Sequence, residues 1–364
     1  MTFPKVVAVP GVQFGVSVVV LCAVFGAVLG TGEAMNVVDA AEVWPDSVRT
    51  IKYAASVDNS DQPMLVYTAK SDNKRPLLVG LHTWSGSFSQ AGGEVACARW
   101  CIENDWHFIH PDFRGPNWTP DGCGSDKAVQ DIIDAVDYMK ANHNIATDRI
   151  YLVGASGGGH ASILMAGRAP EIWAGVSSWV PISDIRAWWE QKREGRQSGY
   201  ADHIEKAVGG RPDDNETAAQ ECIKRSPLTY LKNAASVNLD INAGITDGHE
   251  GGSVPFTHSL YAFNEVVPKQ DQISDDFIGS FYEAQQLPAG ISKANADALF
   301  GEKSVVFRRT SGNTRVTIFQ GGHEIIHEAA LNWLAAQRKG KPANWKVTAK
   351  RTLKTDNKES HSGK

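Results

Sequence analysis

The chain has 364 residues, of which 42% are hydrophobic and 21% charged, an ordinary globular composition that excludes disordered, collagen-like and coiled-coil chains. The formal net charge is −5 and the basic residues form no broad field, so we expect no nucleic-acid partner. Five cysteines in this length do not make a small disulfide scaffold.

The N-terminal residues 1–34 have the pattern of a secretory signal peptide. Lys5 precedes an apolar stretch from Val16 to Leu29, and the small residues Gly32 and Ala34 follow it. We expect cleavage near Ala34 and a secreted or periplasmic protein, with an uncleaved membrane anchor as the alternative. Elsewhere the apolar runs are too short to span a bilayer, so no stable membrane association is expected after cleavage.

From residue 35 to residue 337, predicted strands alternate with predicted helices. Apolar runs bounded by turn residues indicate buried strands, and an apolar face with helical spacing indicates a helix. The predicted strands cover residues 63–68, 76–82, 106–110, 150–153, 173–180, 237–243 and 315–319. The predicted helices cover residues 92–104, 127–141, 161–166, 253–267 and 324–337, with Ser253 as a candidate N-cap. This alternation predicts an α/β catalytic domain with a mostly parallel central sheet and helices on both faces.

Four segments do not follow the alternation. Residues 36–60 are polar and are predicted to form a loop. Residues 184–236 are predicted to be a cap-like insertion over one end of the sheet, and residues 268–303 a second, less regular insertion. Residues 338–364 contain nine Lys or Arg and are predicted to be a basic, flexible tail.

Four cysteines remain after the expected cleavage, in a compartment that permits disulfides: Cys97, Cys101, Cys123 and Cys222. A bridge between Cys101 and Cys123 is one candidate, because a predicted helix carries the first and the loop after the next strand carries the second. Buried free thiols are the alternative. The spacing is not that of a zinc site, and no cofactor is expected.

The segment Gly154-Ala155-Ser156-Gly157-Gly158 has the form G-x-S-x-G. It follows a predicted buried strand and precedes a predicted helix, as a nucleophilic serine on a strand-to-helix turn requires. Small neighbours are needed because the turn is tight and strained. Ser156 is therefore the candidate nucleophile, and the amide of Gly157 at the helix start is a candidate oxyanion donor.

A serine nucleophile needs a base and an orienting acid, which in such folds follow it in the order acid, then histidine. His323 follows a glycine pair directly after the last predicted strand and is the candidate base. Asp247, after the strand 237–243, is the candidate acid. Glu250 is its competitor, and Asp184 is a weaker third choice.

Three motifs together resemble the prolyl oligopeptidase family of serine hydrolases: Asp112-Phe113-Arg114-Gly115, the turn at residues 154–159, and Val254-Pro255. The resemblance implies the α/β-hydrolase fold and a triad of Ser156, Asp247 and His323. In that family the acid usually lies about three residues before the Val-Pro pair, whereas Asp247 lies seven before it, so the loop is lengthened. The resemblance extends to the catalytic domain only, and we expect no β-propeller.

Further site residues are expected at the carboxyl edge of the sheet. The second oxyanion donor should follow the strand 76–82, at Thr83 or Trp84, and His82 is either a hydrogen-bonding residue of the site or a structural histidine. Arg114 either binds a substrate carboxylate or holds its own loop in place. Trp118 and Trp188 are candidate substrate-binding residues. The tryptophans in or near this edge could stack on sugar rings or aromatic acyl groups: Trp84, Trp118, Trp179, Trp188 and Trp189.

The sequence thus predicts attack by Ser156 on an ester or peptide carbonyl, followed by hydrolysis of an acyl-enzyme. The tryptophans favour an esterase acting on acylated sugar or another small ester, with a serine oligopeptidase acting on short peptides as the alternative. Two other classes remain open. His323-Glu324-Ile325-Ile326-His327 has the HExxH form of zinc peptidases, but a strand ends just before its first histidine. A non-catalytic binding protein would not need all three triad residues. Oligomeric state remains open.

Overall fold

Nine strands form one sheet in the part of the chain that the structure describes. The structure is a computed structural model, and it describes residues 43–195, 197–249, 252–294 and 296–348. The strands are β1 Arg49–Ala54, β2 Asp61–Tyr67, β3 Arg75–Leu81, β4 His107–Pro111, β5 Ile145–Ala155, β6 Gly175–Trp179, β7 Leu239–Gly244, β8 Val305–Ser311 and β9 Thr314–Phe319. Their order across the sheet is β1-β2-β4-β3-β5-β6-β7-β9-β8. The six strands from β4 to β9 in this order are parallel, whereas β2 and β8 run antiparallel to their neighbours.

Helices cover the sheet and fill the connections. They are α1 Gly93–Asn104, α2 Asp126–Asn142, α3 Gly157–Arg168, α4 Ile185–Lys192, α5 Gly199–Val208, α6 Glu216–Arg225, α7 Thr257–Val266, α8 Asp275–Ala284 and α9 His327–Ala335. The local sequence explains α2 well. The Ser125 side chain accepts a hydrogen bond from the Ala128 amide at the helix start, and one face buries Val129, Ile132 and Met139. The chain therefore has the predicted α/β-hydrolase fold.

The parallel strands place the predicted site residues at one edge of the sheet. Strand β5 ends at Ala155, β7 at Gly244 and β9 at Phe319, and the loops that follow these ends open on the same side. Residues far apart in the sequence can therefore meet at this edge.

The buried apolar side chains form two clusters. The larger packs against the sheet and contains, for example, Leu78, Leu152 and Ile241. The smaller lies among α4, α5 and α6 and contains Trp188, Trp189 and other buried residues of the segment predicted as a cap. Helical packing in this segment explains why its sequence contains apolar residues despite its many charges.

The predicted strands all exist, but two antiparallel strands were missed. Strand β1 lies in the segment predicted as a loop, and most of its side chains are exposed, so it lacks a buried apolar run. Strand β8 follows the second insertion and pairs with β9 at the edge of the sheet. The prediction of a helix from residue 253 was also wrong, since α7 begins at Thr257 and Ser253 is not its N-cap.

Among the described residues, no helix has the length and apolar character needed to cross a bilayer. The predicted signal peptide, with its cleavage point near Ala34, lies outside the described residues, and so does most of the predicted tail.

Candidate active site

Ser156 lies on a strained turn between β5 and α3. Its φ of 59° and ψ of −118° are unfavourable for a residue with a Cβ atom and need enforcement by the surroundings. The enforcement comes from close packing. A Cβ atom at Gly154 would lie 2.4 Å from the Gly158 carbonyl oxygen, and one at Gly158 would lie 2.3 Å from the Leu81 carbonyl oxygen. Only glycine fits at these two positions, and the tight turn presents Ser156 at the carboxyl edge of the sheet.

The backbone next to Ser156 offers two hydrogen-bond donors. Gly157 packs against the loop after β3 so closely that a Cβ atom on it would lie 2.3 Å from the Trp84 nitrogen. As the first residue of α3, Gly157 has an amide without an acceptor inside the helix. The Trp84 amide has no acceptor among the described residues either, whereas the Thr83 amide donates to Oε1 of Gln90 at 3.2 Å. Of the two candidates in this loop, the geometry therefore favours Trp84 over Thr83 as an oxyanion donor.

The structure brings Asp247 and His323 together. Nδ1 of His323, in the loop after β9, lies 2.8 Å from Oδ2 of the buried Asp247, which follows β7. Oδ1 of Asp247 accepts hydrogen bonds from the amides of Gly248 and Val254, each at 3.0 Å. Both carboxylate oxygens are thus engaged, which fixes the acid and, through it, the orientation of the imidazole. The competing acid Glu250 lies outside the described residues.

The lengthened acid loop folds back onto its own carboxylate. A Cβ atom at Gly252 would lie 2.5 Å from the Asp247 Cα atom, so the end of the loop packs directly on the acid. This close return is what allows the Val254 amide to reach Asp247 despite the long spacing. The third acid considered, Asp184, is instead the N-cap of α4 and accepts a hydrogen bond from the Ala187 amide at 3.0 Å.

Ser156 and His323 line the same cavity, whose volume is about 190 Å³. The cavity is also lined by Glu94 at the start of α1 and by residues of the segment from His323 to His327. No hydrogen bond joins the Ser156 hydroxyl to His323 among the described residues; Nε2 of His323 instead lies 3.1 Å from the hydroxyl oxygen of Ser253. This contact was not predicted, because the position of Ser253 in the sequence resembles that of a helix N-cap.

His82 holds the oxyanion loop against the loop after β4. Its ring nitrogens lie 2.9 Å from the Thr83 carbonyl oxygen and 2.8 Å from the Asp112 carbonyl oxygen. The ring stacks on Phe113 with 3.9 Å between centroids, and burial lowers the pKa of His82. These contacts support the structural interpretation of His82.

Most of the tryptophans predicted to line the site are core residues. Trp188 is 1% exposed and donates its indole hydrogen to the Ser253 carbonyl oxygen at 3.0 Å, so its proposed role in substrate binding was wrong. The indoles of Trp84, Trp179 and Trp189 are buried as well. Trp118 is partly exposed and contacts the His203 ring, with 4.7 Å between centroids. Of the five indoles, only Trp118 offers a surface to a substrate.

The Arg114 side chain is occupied by two carboxylates. It pairs with Asp58 at 2.8 Å and with the fully buried Asp131, and its own side chain is 9% exposed. The guanidinium therefore fixes the loop after β4 against α2 and β1–β2. This arrangement argues against the substrate-carboxylate role and supports the alternative that Arg114 holds its loop in place.

Of the two alternatives for the cysteines, the candidate Cys101–Cys123 bridge is absent and the other is confirmed, since all four described cysteines are buried free thiols. Cys101 packs in the larger apolar cluster, whereas Cys123 packs in the smaller one together with Cys222. Burial raises the pKa of the Cys123 thiol to about 12, so this thiol is not a nucleophile at neutral pH.

The HExxH segment does not form a zinc site. Helix α9 begins at His327, so His323 precedes the helix and the two histidines do not share a helical face. Nδ1 of His323 is already bonded to Asp247. Among the described residues, which exclude Glu250, no group of three His, Cys, Asp or Glu could hold a metal ion.

Comparison with known proteins agrees with this geometry. Residues 112–275 match the model of the prolyl oligopeptidase family, a span that includes Ser156 and Asp247 but ends before His323. Fold and match together define a serine hydrolase of the α/β-hydrolase fold. The matched span covers less than half of the chain, and it agrees with the family resemblance that the three motifs indicated. No curated protein matches the chain.

Solved structures of peptidases have a similar fold. An acylaminoacyl peptidase from Pyrococcus horikoshii is 15% identical, with a TM-score of 0.47 and 60% of this chain covered. An acylaminoacyl peptidase in complex with Z-Gly-Gly-Phe-chloromethyl ketone is 16% identical, with a TM-score of 0.49 and the same coverage. The chain spans 34% of the length of each of these proteins.

Proposed function

We propose that this serine hydrolase cleaves short peptide or small carboxylic ester substrates through an acyl-enzyme on Ser156, with His323 and Asp247 completing the triad. The observation that carries the proposal is the 2.8 Å contact between His323 and Asp247, at the edge of the sheet where Ser156 follows β5. Ser156 and His323 also line one cavity. Such a constellation supports nucleophilic acyl transfer.

The mechanism follows from the positions of these groups. Ser156 attacks the substrate carbonyl carbon while Nε2 of His323 takes its proton, and Asp247 stabilises the imidazolium that forms. The negative charge that develops on the carbonyl oxygen is held by the amide of Gly157 at the start of α3 and by the amide of Trp84 in the loop after β3. His323 then protonates the leaving amine or alcohol. Water, deprotonated by the same imidazole, hydrolyses the acyl-enzyme.

The peptide substrate takes first place because the family match supports peptidase activity and the aromatic rim expected for acylated sugars is largely buried. The ester remains the second candidate, because Trp118 is partly exposed and an indole face can stack on a sugar ring or an aromatic acyl group. Acylated-sugar, p-nitrophenyl ester and short peptide amide substrates assayed side by side would rank them by kcat/KM.

The triad is tested by a fluorophosphonate probe and two matched acid variants. We expect the probe to label Ser156 and to fail with Ser156→Ala. Asp247→Asn should lower kcat by about 10⁴-fold, since the imidazole loses its orienting partner, whereas Glu250→Gln should leave kcat unchanged. The reverse result for the two acid variants would assign the acid to Glu250. Activity lost to a chelator without probe labelling would refute the serine mechanism.

We further propose that residues 1–34 direct the protein out of the cytoplasm and are removed there. The support is the pattern of Lys5, the apolar stretch and small residues before the expected cleavage point. N-terminal sequencing of the protein recovered from the periplasm or medium should begin within a few residues of Ala34. An intact N-terminus on membrane-bound protein would support the anchor alternative.

A further inference from the structure

The imidazole nitrogen that must activate Ser156 is bonded to a different serine. Nε2 of His323 lies 3.1 Å from the Ser253 hydroxyl oxygen, and no hydrogen bond from Ser156 reaches His323 among the described residues. Ser156 and His323 line one cavity, and the contact that Nε2 makes without substrate is the one with Ser253.

The protonation of the imidazole defines the direction of this bond. Oδ2 of Asp247 can only accept, so the neutral ring carries its hydrogen on Nδ1 and donates it across the 2.8 Å contact. Nε2 is then a bare acceptor. The Ser253 hydroxyl donates to it, in place of the Ser156 hydroxyl.

Ser253 is held rigidly in this position. Its carbonyl oxygen accepts the indole hydrogen of Trp188 at 3.0 Å, and the amide of the next residue, Val254, donates to Oδ1 of Asp247 at 3.0 Å. The serine is 9% exposed, so water competes weakly for its hydroxyl. These two hydrogen bonds hold the backbone on the C-terminal side of Ser253, one to α4 and one to the acid, and so keep this residue beside the imidazole.

We propose that Ser253 is a positioning residue that occupies Nε2 of His323 until substrate binds, and that acylation begins when the Ser156 hydroxyl replaces the Ser253 hydroxyl at this nitrogen. This inference rests on the proposed triad. Substrate binding must supply the free energy that breaks the Ser253 contact. The contact therefore weakens substrate capture and leaves the chemical step of the bound complex unaffected.

Ser253→Ala tests the proposal because it removes the hydroxyl and leaves the backbone anchors in place. A typical hydrogen bond of this kind corresponds to roughly a threefold to tenfold change in an equilibrium. We expect labelling of Ser156 by a small fluorophosphonate, and kcat/KM for the best substrate, both to rise by about that factor. At saturating substrate, kcat should stay unchanged. Ser253→Thr keeps a hydroxyl and should behave as the unaltered enzyme.

Other outcomes overturn the proposal. Unchanged labelling and kcat/KM in Ser253→Ala would show that the two serines do not compete for Nε2. A lower kcat would show that Ser253 assists the chemical step. A thermal melt of each variant identifies any loss from misfolding. His323→Ala separates this inference from the triad itself: residual labelling at the rate of the unaltered enzyme would refute the triad, whatever Ser253 does.

Discussion

Gly157→Ala should disable the oxyanion hole while leaving the triad intact. The added Cβ atom would lie 2.3 Å from the Trp84 nitrogen, 2.4 Å from its Cα atom and 2.9 Å from the Thr83 carbonyl carbon. All three are backbone atoms, so no side-chain rotation can relieve the contact. The loop after β3 must retreat from α3.

The size of the retreat follows from the same distances. An ordinary contact begins at 3.4 Å, so the Trp84 amide must move by about 1 Å. A donor displaced by that amount from its hydrogen-bond distance no longer stabilises the oxyanion. Loss of one such donor lowers kcat by roughly 10²–10³-fold, and the strain should lower the free energy of unfolding by about 1–3 kcal/mol.

Two alanine variants serve as matched controls. Gly279 lies in α8 with nothing within 4 Å of an added Cβ atom, so Gly279→Ala should leave kcat unchanged and stabilise the helix slightly. Gly167 lies in α3, where a Cβ atom would be 2.7 Å from the Tyr230 backbone, so Gly167→Ala should lower stability with little effect on kcat per folded molecule. Steady-state kinetics and thermal melts distinguish the three. A Gly157→Ala enzyme with unchanged kcat would refute this assignment of the oxyanion donors.

Two further predictions concern stability. Arg114→Met leaves the carboxylate of Asp131 buried and unpaired, so the free energy of unfolding should fall by about 3–5 kcal/mol in urea denaturation. Adding Asp131→Leu should recover part of this lost free energy. A raised KM in the folded single variant would instead support substrate binding by Arg114. Burial lowers the pKa of His160 from 6.5 to about 4, so the unfolded chain binds a proton more readily between these values and stability falls as pH falls through this window. Between pH 7 and pH 5.5, the free energy of unfolding of His160→Gln should therefore fall by about 1 kcal/mol less than that of the unaltered protein. An equal fall in both proteins would contradict this prediction.

Periodicity and apolar runs were sufficient to predict the central sheet. Strand β3 and the end of β5 are buried, and residues 77–81 and 150–153 are continuous apolar runs. Strands β6 and β7 are buried as well, but they contain polar residues such as Ser177 and Asp240 between apolar ones. Edge strands such as β1 expose most of their side chains and carry no such signal. The order of the parallel strands then brings Asp247 and His323 together, as their positions after consecutive parallel strands predicted.

The side-chain environment of the site could not be predicted in the same way. A tryptophan near the sheet edge has the same sequence signature whether it lines a site or fills a core. Trp188 is a core residue because the inserted helices pack around it. The roles of Gln90 and Ser253 depend on loops that return to the site from elsewhere. Neither loop has a periodic pattern that indicates where its polar atoms will lie.

The lengthened acid loop links these observations. The loop returns past Gly252, which packs on the Cα atom of Asp247, and this return brings the Val254 amide to Oδ1 of the acid. The same return places Ser253 between the base and the indole of Trp188 on α4. Two hydrogen bonds therefore connect Trp188, in the inserted helices, to Nε2 of His323 through Ser253. The insertion thus contacts Ser253, whose hydroxyl contacts the proposed base, and packing of the insertion can influence which serine bonds to Nε2.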